Sequence, residues 1–279
     1  MINNVLVHIP TERPSRPVID ASISLALTFG ARLEAIATGF VSTSPYVIVG
    51  SSAAALGAVY EIEQDRATER ATAALSIFEV AARKAGIPYQ SRTIVDLVEE
   101  GSASIAAASR LHDLSVVLQP NPDHHTADDA VPTDILLQSG GPVLFVPYTF
   151  RSVFKPRRIG VCWDGSRLAA RALRDAEPFL VQADSLFVIS INSGQSTPSD
   201  APAEQLVAHL SRYGRPVTLI ASPAERSKIQ PSILSLDADR NFDMLVMGAY
   251  GHSRLEERLF GGVTHEMLQA MTVPTLMSH

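Results

Sequence analysis

One order of strands and helices runs through this chain twice, and that repeat constrains the fold more than any other feature of its 279 residues. Residues 82–95, ARKAGIPYQSRTIV, run against residues 210–222, LSRYGRPVTLIAS. HDLSVVLQP (112–120) runs against NFDMLVMGA (241–249), and VPTDILLQSGGPVLFVP (131–147) against GVTHEMLQAMTVPTLMSH (262–279). Each half alternates short apolar runs, the mark of buried strands, with longer segments that end in Gly-x-Pro or similar breakers.

In the first half the strands are expected within Met1–Pro10 and at Arg32–Thr38, Tyr89–Val95, Leu114–Leu118 and Val143–Val146. Helices are expected at Val18–Phe29, Leu56–Ala85, Ser102–Ser109 and Thr133–Gln138, with a polar, Pro-rich loop from Gln119 to Pro132. The second half repeats this with strands at Arg158–Trp163, Ser185–Asn192, Val217–Ala221, Met244–Met247 and Thr275–Met277. Its helices fall at Ser166–Gln182, Ala203–Tyr213, Ile229–Asp239 and Val263–Met271. Strands that alternate with helices require right-handed crossovers, hence an α/β fold whose parallel sheet is covered on both faces. Residues 1–148 and 156–279 are read as two domains, joined by a linker at Pro147–Pro156 and packed as a pseudo-two-fold pair.

The chemistry is concentrated in residues 244–264, MLVMGAYGHSRLEERLFGGVT. A strand ends in Gly248; Gly251, Gly261 and Gly262 follow, and then Val263 and Thr264 open a helix. Glycines between a strand and a helix permit positive φ or close approach of a ligand, so the segment reads as a cradle of backbone N–H groups suited to phosphate. The bland alternative is that these glycines only shape turns. Arg254 and Arg258 share a face if the segment is helical, with Glu256 and Glu257 beside them, and a solvated surface explains them equally well. Neither the G-x-x-x-x-G-K-[ST] loop nor G-x-G-x-x-G is present, and no G-x-S-x-G elbow supports a hydrolase.

Several classes are excluded or disfavoured by composition. A net charge of -6 argues against a nucleic-acid surface. A single cysteine, Cys162, rules out an internal disulfide framework and a cysteine-based zinc site, fits a cytoplasmic protein, and reads as a buried thiol. No basic start leads into a long apolar segment and no membrane span is expected. His124 and His125 lie near Asp123, Asp128 and Asp129, but adjacent histidines lack helical ligand spacing, so a polar loop is the preferred reading over a metal site. His252 and His265 flank the glycine loop and read as surface residues.

The second half, with VCWDGS closing its first strand, the G-x2-G-x9-G spacing at Gly248, Gly251 and Gly261, then Val263, Thr264 and a closing VPTLM strand, resembles the universal stress protein family. The first half repeats the order with weaker motifs, so the chain resembles a tandem member. The resemblance implies two open five-stranded parallel sheets of the adenine nucleotide alpha hydrolase-like kind, with ligand beyond the strand carboxyl ends. It implies ATP, with Mg2+, as the ligand, bound by Asp164, Met247, Gly248, Gly251, Gly261, Gly262, Val263 and Thr264, where Asp164 equally suits helix capping. Gly262 departs from the Ser or Thr usual after the third glycine, and Trp163 is bulkier than the usual aliphatic residue. In the first half QPNPDHHTADDAVPTD replaces the glycine loop and no Asp follows the first strand, so that half is expected to bind no nucleotide. The expected function is a stress-response regulatory module that binds ATP, without assigned catalytic residues, as a homodimer with an unidentified protein partner. The alternatives are a nucleotide-independent scaffold, drawing on the apolar tract Val41–Val59, and a slow ATPase at the same site.

Overall fold

The computed structural model describes residues 1–41, 53–192, 201–225, 228–250 and 262–279. The strands are β1 (Asn4–Ile9), β2 (Arg32–Phe40), β3 (Tyr89–Asp96), β4 (Leu114–Leu118), β5 (Val143–Val146), β6 (Arg158–Cys162), β7 (Ser185–Asn192), β8 (Val217–Pro223), β9 (Met244–Gly248) and β10 (Thr275–Ser278). The helices are α1 (Arg16–Phe29), α2 (Ala53–Ala85), α3 (Val98–Ser109), α4 (Ala130–Gln138), α5 (Arg167–Asp175), α6 (Glu177–Leu180), α7 (Ala203–Leu210), α8 (Ile229–Arg240) and α9 (Val263–Ala270).

All ten strands join one sheet, in the order β3-β2-β1-β4-β5-β10-β9-β6-β7-β8. Within each half the five strands are parallel, and the halves meet where β10 runs antiparallel to β5, Leu276 opposite Leu144. Side chains alternate across the strands. Val5, Val7 and Ile9 therefore face one core with α1, α2, α5, α6 and α7, whereas Leu6 faces a second with α3, α4, α8 and α9. Both cores run through the two halves without a break, since β5 and β10 contribute Leu144 and Leu276 to the first and Phe145 and Met277 to the second.

The repeat is also visible in polar detail. Asp113, just before β4, accepts from the backbone N–H groups of Asn3 and Asn4 at 2.8 and 2.9 Å. Asp243, just before β9, accepts from Arg157 and Arg158 at 3.0 and 2.8 Å. Each carboxylate thus satisfies the donors at the start of its half's first strand.

Most elements start or end within a few residues of expectation, and two of the differences have a local cause. The segment expected as one helix from Ser166 to Gln182 breaks into α5 and α6, because Pro178 cannot donate to the preceding turn. In the loop expected from Gln119 to Pro132, Ala127–Asp129 form a 3-10 turn and α4 begins at Ala130, with Pro132 tolerated in its first turn. The tract Val41–Val59 lies largely outside the described residues.

Candidate functional site

In each half the strand order reverses beside the first strand, between β1 and β4 and between β6 and β9. Such a switch point opens a crevice beyond the strand carboxyl ends, the usual ligand position in an open α/β sheet. The two crevices have the same frame and different contents.

In the second half, β6 ends at Cys162 and a short turn leads to α5. Trp163 donates its backbone N–H to Ile189 O at 2.8 Å and its indole N–H to Ala201 O at 3.0 Å, so the ring anchors the chain beside the crevice. Asp164 is exposed, and its Oδ1 accepts from Ser166 N at 2.9 Å around Gly165, whose φ of +76 is left-handed. Ser166 is the cap of α5, its Oγ accepting from Ala169 N at 3.1 Å. The capping role considered for Asp164 thus falls to its neighbour, and Asp164 keeps an oxygen turned to solvent or ligand. Burial, with the Asp164 charge adding to it, pushes the Cys162 thiol up to about 12, so it is inert.

Across the crevice, β9 delivers Met247 into the second core, where it is buried. A Cβ on Gly248 would lie 2.6 Å from Leu168 C and 2.7 Å from Ala169 N. The missing side chain at Gly248 is therefore required by the first turn of α5, which sits directly on it. Tyr250 follows in a left-handed conformation, φ 54, with its N–H given to Thr264 Oγ1 at 3.0 Å. Thr264 is buried in the first turn of α9, so it ties the strand end to the helix start. Gly262 is buried, extended and N-terminal to α9; it supplies no capping side chain to the first-turn N–H groups. Val263 is half-buried against the second core. His265 is exposed, its ring nitrogen 2.9 Å from Gln269 Nε2, and His279, missed in the sequence reading, reaches Ala249 O through Nδ1 at 3.1 Å. Gly251, His252, Arg254, Glu256, Glu257, Arg258 and Gly261 lie outside the described residues.

The structure thus brings Asp164, Gly248, Gly262, Val263 and Thr264 to one crevice and sends Met247 to the core. Chemically, the arrangement offers an exposed carboxylate for hydroxyl or amine donors and, opposite it, a helix N-terminus for an anion. Among the described residues no group of three or more His, Cys, Asp or Glu is arranged to hold a metal ion.

The first half fills its crevice from within. Asp128 Oδ2 accepts from Thr11 N at 2.9 Å and Glu12 N at 2.8 Å. Arg13, 5% exposed, pairs with Asp129 Oδ1 at 2.5 Å and donates to Gln119 O at 2.6 Å. Glu12 returns the contact by accepting from Ala127 N at 3.1 Å. The carboxylates of Asp128 and Asp129 are turned inward, where they hold the loop after β1 to the turn before α4. His125 is exposed and 4.0 Å from Asp129.

Residues 155–279 match the universal stress protein family. A universal stress protein of Synechocystis is 24% identical over 139 residues, covering 48% of this chain and 46% of that one, so the match spans less than half of that relative's length. A solved universal stress protein from Archaeoglobus fulgidus superposes with a TM-score of 0.74 at 16% identity, covering 98% of this chain and 95% of its own. A functionally unknown protein from Pseudomonas aeruginosa gives 0.59 at 16% identity, covering 99% and 92%. The structural likenesses carry the α/β fold across both halves.

Proposed function

Residues 155–279 match the universal stress protein family, and from that premise we propose that this half binds ATP in the crevice beyond β6 and β9 and acts as a nucleotide-responsive regulatory module. Residues 1–148 and 156–279 are then two domains, of which the first binds no nucleotide and serves as a structural partner. The family's stress-response role fits such a module.

The observation that carries this reading is the contrast between the two crevices. Where the first half sets Asp128 and Asp129 immediately before α4, the second has Gly262 before α9. Among the described residues no side chain caps the anion-attracting end of α9, and Asp164 stands exposed just beyond the end of β6. A nucleotide has both complements, a phosphate chain for the helix end and ribose hydroxyls for the carboxylate. Mg2+ would arrive on the phosphates, as it commonly does, keeping several waters.

The test is thermal denaturation of the nucleotide-stripped chain with and without ATP and Mg2+. Binding to the folded state alone stabilises it by about 2.7 kcal/mol at a hundredfold excess over Kd. The melting temperature should rise in the parent chain and not in Gly261→Val. A parent chain indifferent to ATP would leave the scaffold reading in its place.

A further inference from the structure

Among the described residues six buried side-chain nitrogen or oxygen atoms have no hydrogen-bond partner: Arg70 Nε, Thr126 Oγ1 and, at the strand ends of the first half, His8 Nε2, Thr38 Oγ1, Gln119 Oε1 and Asp128 Oδ1. The residues of the last four are at most 2% exposed. Buried polar groups are nearly always satisfied, so four orphans in one region call for a physical cause.

Sheet register brings them together. His8 pairs with Ile36, so Thr38, two residues further along β2, shares the face of His8 one step nearer the crevice. On the other side, Val7 pairs with Val116; Val117 shares the second core face with Leu6, and Gln119 continues that alternation. Asp128 descends from the 3-10 turn onto the same place, its Oδ1 3.8 Å from His8 Nε2. That separation is too long for a direct hydrogen bond and suits two groups bridged by a third. The other polar atoms of Asp128 and Gln119 are held elsewhere. Asp128 Oδ2 takes the Thr11 and Glu12 N–H groups, and Gln119 Nε2 donates to Leu268 O at 2.9 Å. The four orphans therefore belong to neighbouring strand ends on one face of the sheet, with Asp128 and Gln119 each anchored through their other polar atom.

We propose that His8 Nε2, Thr38 Oγ1, Gln119 Oε1 and Asp128 Oδ1 enclose one internal water molecule, a resident guest at the crevice of the first half. A water fits this set and a metal ion does not. The Thr38 hydroxyl carries a hydrogen that has to reach an acceptor, while Gln119 Oε1 only accepts; a water takes the first and supplies the second. Only His8 and Asp128 of the four are strong cation ligands, and no group of three or more His, Cys, Asp or Glu is gathered among the described residues. Positive charge is also already present nearby, since burial, with the Arg13 guanidinium adding to it, disfavours the protonated His8 ring. The water completes the closure that Asp128, Asp129 and Arg13 begin, and it makes the first half's crevice a filled polar core.

The deciding experiment is a crystal structure of the full chain at a resolution that shows ordered water, with metal analysis of the same sample. The expected result is one isolated peak at about 2.7–3.2 Å from at least three of the four atoms, and no stoichiometric metal. Empty density, or direct pairing of the four groups, overturns the proposal. So does a peak at roughly 2.0–2.5 Å with metal present, which would make it a cation site. In Thr38→Val the peak should vanish or move while Asp128 still accepts from Thr11 and Glu12. A peak unchanged in that variant would also overturn the four-atom site.

Discussion

Gly248→Ala separates two reasons for a glycine at the head of the crevice. The added methyl would meet Leu168 C at 2.6 Å, Ala169 N at 2.7 Å and Leu168 Cβ at 2.9 Å. Two of those three are backbone atoms of the first turn of α5, which cannot swing aside as a side-chain tip can. Relief requires α5 to shift by nearly an ångström, against a helix whose Leu168, Ala169 and Ala172 are buried. Overpacking of this kind costs about 1–3 kcal/mol, and the backbone contacts place it toward the upper end. The φ of Gly248 is not among the positive values, so alanine recovers about 0.4–1 kcal/mol from the unfolded state. The net loss is about 2 kcal/mol. If the whole chain melts as one unit, at about 2.1 cal/mol/K per residue, the melting temperature falls by about 3–4 °C. The assay is thermal denaturation without nucleotide. A variant that melts with the parent and yet fails to bind ATP would refute the packing argument and assign Gly248 to the ligand.

Two further predictions concern the first half. Arg13→Met leaves the Asp129 carboxylate, 14% exposed, without its guanidinium; breaking a buried pair in this way costs about 3–5 kcal/mol, readable as a lowered urea midpoint, with ATP stoichiometry unchanged. Stability against pH should depend on Asp128. Burial, with Arg13 adding to it, lowers His8 to about 3, and burial raises Asp128 to about 7. Taken alone, His8 contributes stability that is present above about 6.5 and lost as pH falls toward 3; Asp128 contributes stability that is lost as pH rises from about 3.8 to 7. Between pH 4.5 and 6 (roughly) the unfolded chain holds one proton, on His8, and the folded chain one, on Asp128, so the pair gives no slope. In Asp128→Asn the folded state holds none, and stability should rise by up to about 1.4 kcal/mol per pH unit relative to the parent across that window. Parallel curves for parent and variant would contradict the assignment.

Strand positions were legible because parallel strands buried on both faces are short apolar runs, such as Leu114–Leu118 and Met244–Met247, cut off by proline, glycine or polar residues. Their assembly into one sheet was not. The pairing of β5 with β10 joins residues far apart in sequence, and nothing local in VLFV or TLMS specifies the partner. At the candidate site, the glycine spacing and Asp164 could be found from sequence, but the reason for Gly248 could not, because α5 passes over it only in the folded chain. Met247 reads with the motif, and strand alternation turns its side chain into the second core, which its place in the motif does not show. Asp128 and Asp129 read from sequence as part of a polar loop. Their inward turn depends on N–H groups at Thr11 and Glu12 and on Arg13, more than a hundred residues earlier, which no short-range pattern reveals.

The central claim is that one half of this chain takes a nucleotide while the other closes its crevice with its own carboxylates. Calorimetric titration of the nucleotide-stripped full chain with ATP and Mg2+ tests it most directly through the stoichiometry. The account predicts one site per chain, retained in Arg13→Met and lost in Gly261→Val. Two sites per chain, or no saturable heat at all, would contradict it.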